Sequence, residues 1–126
     1  MAEQNESGIQ SYRDLHVWQR AVELVEEIYK VSTSFPADER FGLTSQIRRA
    51  AVSVPSNLAE GYGRRRRAQY MHHLDIANSS LKEVETQLII AGRLSFVHKD
   101  QAQDAWDLLQ ETGKMLTGLL RSLDQG

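Results

Sequence analysis

Between Tyr70 and Ala91 the apolar residues Tyr70, Leu74, Ala77, Leu81, Val84, Leu88 and Ala91 recur at alternating steps of four and three. On a helix this stripe stays on one face for about six turns, and only other helices crossing at a shallow angle can cover it along that length. A strand would scatter the same residues over both of its faces. The stripe therefore asks for a helical bundle.

Three further stripes answer it. Ser11 and Asp14 stand three apart before an apolar run, the pattern of a capping box, so a first helix is expected to begin near them. Along this helix one seam runs through Leu15, Trp18, Val22, Val25 and Tyr29, and a second through Val17, Ala21, Leu24, Ile28 and Val31. Together they cover more of the wheel than a helix in an isolated bundle has to bury. The excess predicts a second buried face, and Val17, Ala21, Leu24 and Ile28 are the candidate subunit contacts. A second helix carries Leu43, Ile47, Ala50, Ala51, Val54 and Leu58 inward, with Pro55 inside it. The proline ring crowds the carbonyl four residues back and removes one N–H, and because the apolar phase continues across it, a bend is expected rather than a break. Gly61 and Gly63 close that helix. A fourth is capped by Asp100 with Gln103 three residues on, and carries Ala102, Ala105, Leu109, Thr112, Leu116, Leu119 or Leu120, and Leu123 on one side.

The expected fold is all-α, an up-down-up-down antiparallel four-helix bundle with helix 2 bent at Pro55. Helices are placed at about 12–33, 37–61, 65–94 and 100–123, with a disordered tail over 1–10 and a short one over 124–126. At 126 residues the chain can bury a core without disulfides. It has no cysteine, which fits a reducing compartment, and its polar start is neither signal peptide nor anchor, so a cytoplasmic protein is expected.

Chemistry is sparse. His72 and His73 are adjacent and diverge on a helix, no Glu-x-x-His spacing occurs, and His16 and His98 are isolated, so no metal site is expected. No serine sits in a nucleophile elbow, and the glycines near residue 61 lack the Gly-Lys-Ser/Thr ending of a phosphate loop. The reading is a non-enzymatic protein with no cofactor and no identified small-molecule substrate.

Two features remain. Gln46, Arg49, Ser53, Asn57 and Glu60 form a polar line along one flank of the second helix, suited to hydrogen bonding with a neighbouring helix or subunit. Ser80 and Glu83 are its candidate partners. The other feature is the run Arg64, Arg65, Arg66 and Arg67. Residues 46 to 70 hold six arginines against one acid, Glu60, and so carry +5 in a chain of formal net charge −2, leaving −7 for the remainder. Arginine binds phosphate bidentately, and Tyr62 beside the run offers a ring for stacking. Arg48, Arg64 to Arg67 and Tyr62 are thus candidate nucleic-acid contacts. The alternative reading is a solvated turn on a protein-protein interaction module that binds no nucleic acid.

The blocks "DLHVW", "FP", "LTSQIRRAAVSVPSNLAEGYGR" and "SLKEVE" resemble the four helix bundle protein family, also called the 23S rRNA intervening-sequence or S23-type ribosomal proteins. The likeness spans about residues 12 to 123. It implies a barrel-like homopentamer of four-helix protomers. It also implies RNA, or the reverse transcriptase of a diversity-generating retroelement, as the partner in one relative. The polar line falls within the most characteristic of these blocks. Where the family usually has Gly-Ser before the leucine matching Leu81, this chain has Ser79-Ser80.

Overall fold

The computed structural model describes residues 8–125. Residues 1–7 of the expected N-terminal tail, and Gly126, lie outside the described residues. Four helices account for most of the described chain: α1 (His16–Ser32), α2 (Leu43–Tyr62), α3 (Arg67–Arg93) and α4 (Lys99–Gln125), with short 3-10 turns at Tyr12–Asp14 and Ala37–Glu39. They form a four-helix bundle, and no strand occurs among the described residues.

The order of packing follows from which stripes meet. α1 packs against α2 and α4, and α3 against the same two helices, while the backbones of the diagonal pairs stay apart. The α3 stripe from Leu74 to Ala91 is buried throughout, facing Ile47, Ala50, Ala51, Val54 and Leu58 of α2 and Ala105, Leu109 and Leu116 of α4 across the core. Thr112, in the same stripe of α4, is also fully buried, and its hydroxyl donates to the Leu108 carbonyl at 2.7 Å, so no polar atom is stranded. α2 continues as one helix through Pro55.

Helix ends differ in detail from the sequence expectation. The Ser11–Asp14 box forms, with the Asp14 carboxylate accepting the Ser11 N–H at 3.2 Å, but it caps the 3-10 turn. Leu15 is extended, with φ −71° and ψ 126°, and α1 starts after it. At α4 the side chain of Gln101, rather than Gln103, reaches back to accept the His98 N–H at 3.0 Å. That shift lets the helix begin at Lys99, and it runs to Gln125, past the expected end at 123.

One correction concerns α1. Val17, Ala21, Leu24 and Ile28, expected to contact another subunit, lie at 0–6 % exposure inside the protomer's own core. The outward flank is instead the seam of Trp18, Val22 and Val25, which are half-buried, and Tyr29, which is exposed. The aliphatic seam turns inward, and the aromatic one stays at the rim, where the Trp18 ring meets Tyr12 edge-on at 5.3 Å.

Two residues past the end of α3 stands Ser95, the one non-glycine residue with positive φ among the described residues (63°). The Phe96 N–H bonds to the Ala91 carbonyl at 2.9 Å and the Ser95 N–H to Gly92 at 3.1 Å, a Schellman arrangement that normally places glycine in this position. Left-handed backbone costs an L-residue about 1–2 kcal/mol, of which glycine returns part to the entropy of the unfolded chain. Ser95→Gly should therefore raise stability by about 0.5–1 kcal/mol, read as a higher urea midpoint at unchanged m-value.

Candidate functional site

The polar line of α2 faces α3. Ser80 Oγ donates to Ser53 Oγ at 2.8 Å, Asn57 Nδ2 donates to the Ser53 carbonyl at 2.9 Å and to its hydroxyl at 3.1 Å, and Asn57 Oδ1 lies 3.1 Å from His73 Nδ1. Gln87 Nε2 approaches Gln46 Oε1 at 3.5 Å, and Glu60 stands 3.9 Å from His73 Nδ1. The pairs 46 with 87, 53 with 80 and 57 with 73 run in opposite directions, so α2 and α3 are antiparallel. Ser80, the serine of the Gly-Ser pair that the resemblance expects, is one of the bonded partners and is 6 % exposed. Arg49 and Glu83 are exposed and take no part in these bonds.

Sequence reasoning missed His73 and Gln87. The signal was the register: once Ser53 is set against Ser80 in an antiparallel pair, position 57 reaches the turn that holds His73. Gln87 Oε1 is buried without a partner. The seam is closed and intramolecular, and its chemistry is that of helix registration.

The arginine run lies where α2 turns into α3. Gly63 ends α2 and the Arg64 N–H returns to the Gly61 carbonyl at 3.0 Å, so Arg64 to Arg66 form the turn and only Arg67 enters the helix. All four arginines are exposed, and none forms an ion pair among the described residues. Arg66 occupies the N-cap without a side-chain cap, and the first turn of α3 holds no acid. Cations here oppose the positive end of the helix dipole by about 0.3–1 kcal/mol, which a bound anion reverses. Arg64 also borders an open cleft with Gln69, His72 and His73.

Two candidates leave this group. Arg48 lies in the opposite half of α2, 16 residues before Arg64 and so about 24 Å away along a helix. Its Nε donates to Ser32 Oγ at 2.8 Å, its Nη2 to the Tyr29 carbonyl at 3.2 Å, and its guanidinium stands 4.5 Å over the Tyr29 ring. That is a cap on the C-terminal end of α1, where free carbonyls and the helix dipole both favour a cation. Tyr62 is half-buried and meets Tyr70 edge-on at 6.3 Å, so its ring belongs to the α2–α3 contact.

Among the described residues no three histidine, cysteine or acidic side chains assemble as a metal site, and no helix is long and apolar enough to cross a membrane.

Comparison with known proteins agrees with this fold. A family model described as 23S rRNA-intervening sequence protein matches residues 13–118. A crystal structure of a protein of unknown function from the S23 ribosomal protein family of Bacteroides thetaiotaomicron superposes with a TM-score of 0.76 at 22 % identity, covering 82 % of this chain and 97 % of that one. Comparison with curated proteins gives no match.

Proposed function

The chain belongs to the 23S rRNA-intervening sequence protein family, and from that membership and the geometry above we propose that it is a non-enzymatic, homo-oligomeric scaffold whose Arg64–Arg67 turn grips a polyanion, RNA or a ribonucleoprotein. The observation that carries this reading is the turn itself: four exposed arginines, none paired with an acid among the described residues, beside a helix N-terminus that lacks a side-chain cap. Arginines kept only for solubility have no need to cluster in one turn. The acidic remainder of the chain confines attraction to this end, which suits local gripping better than coating. Repetition of the turn in each copy lets weak contacts add.

The test is fluorescence anisotropy of a labelled structured RNA titrated with the protein and with a variant in which Arg64, Arg65, Arg66 and Arg67 are all alanine. The variant should lose at least tenfold in affinity, while Lys114→Ala/Arg121→Ala, which removes two cations of α4, should bind as wild type. Equal binding by the wild type and the four-arginine variant would remove the turn from the account.

A further inference from the structure

Gly92 of α3 and Ala102 of α4 line the same space where one helix gives way to the next. Neither carries a side chain long enough to fill a gap between two helices, and a β-carbon on Gly92 would meet nothing within 4 Å. An open cleft of about 430 Å³ results. That volume falls within the range of about 300–1,000 Å³ in which small-molecule sites are found.

The walls of the cleft are apolar. Leu88 and Val97 reach it from the core, Trp106 is half-buried, and Ile89 is left 45 % exposed by the fold. Its charge is of one sign. Arg93, in the last turn of α3, and Lys99, in the first turn of α4, both line it, and no acid does. Neither cation forms an ion pair among the described residues. The acids one turn away are engaged elsewhere: Glu85 accepts from Gln110 at 3.3 Å and stands 3.8 Å from Lys82 Nζ, and Asp107 accepts from Gln103 at 2.9 Å. Arginine, lysine and the indole N–H of tryptophan donate hydrogen bonds and accept none. The cleft therefore sets apolar walls beside positively charged donors.

We propose that this cleft binds a small amphipathic carboxylate, with its apolar body against Trp106 and Ile89 and its head between Arg93 and Lys99. A neutral hydrocarbon would leave both cations without a counter-charge, and a phosphodiester chain would leave the apolar walls in water. An apolar body with one anionic head answers both requirements. Arginine holds a carboxylate through two parallel N–H bonds, and covering Ile89 and Trp106 removes apolar surface from water. The site is separate from the arginine turn, because Gly92 follows Arg67 by 25 residues of α3, about 38 Å along a helix. This inference goes beyond the polyanion reading, and neither depends on the other.

The test titrates decanoate, below the concentration at which it forms micelles, into the Trp18→Phe protein, where Trp106 is the one remaining tryptophan. Its emission should shift to shorter wavelength and saturate, and calorimetric titration of the unsubstituted chain should give the same affinity. Decanol, the same body without the charge, should bind about tenfold more weakly, roughly the worth of one charge-assisted hydrogen bond. Gly92→Leu and Ala102→Leu, which fill the cleft from its two sides without changing its charge, should abolish saturation while keeping wild-type far-UV circular dichroism. Arg93→Ala/Lys99→Ala should bind decanoate no better than decanol, and the variant lacking Arg64 to Arg67 should bind it as wild type does. No saturable binding of decanoate, or binding that survives in both folded leucine variants, would overturn the site. Equal affinities for decanoate and decanol in the wild type would overturn the anionic class of the ligand. Loss of binding in the four-arginine variant would place the ligand at the other end of the bundle and overturn the proposal while leaving the RNA reading intact.

Discussion

Gly61→Ala is expected to destabilise the bundle by about 1–3 kcal/mol, the usual effect of forcing a group into filled space. Gly61 is buried in the last turn of α2, and a β-carbon there would come within 2.7 Å of His73 Cβ and 3.1 Å of Tyr70 Cδ1. His73 Cβ is fixed to the backbone of α3, so relief requires the two helices to separate. The sign is the informative part, because glycine to alanine inside a helix ordinarily stabilises by about 1 kcal/mol. Gly113 in α4 supplies the contrast: its β-carbon would meet Leu81 Cδ2 at an ordinary 3.4 Å. Gly113→Ala should raise the urea midpoint and Gly61→Ala should lower it. A stabilised Gly61→Ala would mean that α2 and α3 do not approach as closely as described.

Asn57→Leu carries the second large effect. Leucine has about the right volume but neither donates to Ser53 nor accepts from His73, and it leaves those groups half-buried with fewer partners. A fully buried polar group left without a partner costs about 1–3 kcal/mol, and for these half-buried groups the loss should lie near the lower end, about 1 kcal/mol, seen as a lower denaturation midpoint. Because the seam lies within one protomer, the native mass should not change. An unchanged midpoint would show that the seam contributes nothing to holding the two helices in register.

How much of this was legible depends on whether one helix or two had to be read. The α3 stripe was legible because its period alone selects a buried face, and the structure buries it from Leu74 onward. The small polar residues of α2 were legible as a line, but His73 and Gln87 lie on another helix and appear only once the antiparallel register is known. The orientation of α1 was not legible. Both of its seams are apolar, and hydrophobicity cannot say that Leu24 faces in while Val25 lies at the rim. Arg48 misled for a related reason, since its charge was visible in the sequence and its partners, Ser32 and the Tyr29 carbonyl, were not. Phe41 gave no sign of its exposure, since Phe35, an aromatic in the same connection, is buried.

These corrections narrow the site. With Arg48 committed to α1 and Tyr62 to Tyr70, the cationic surface contracts from a strip along α2 to the single turn at one end of the bundle. That makes the central claim sharper, because four charges in one place predict a definite response to salt.

The most direct measurement is the affinity of the wild-type protein, at confirmed native mass, for structured RNA across a series of salt concentrations. If the arginine turn grips phosphates, log K should fall linearly with log salt, with a slope of about −0.7 to −0.9 for each phosphate neutralised, and so about −3 for one fully engaged turn. No binding at low salt, or binding that salt leaves unchanged, would contradict the account.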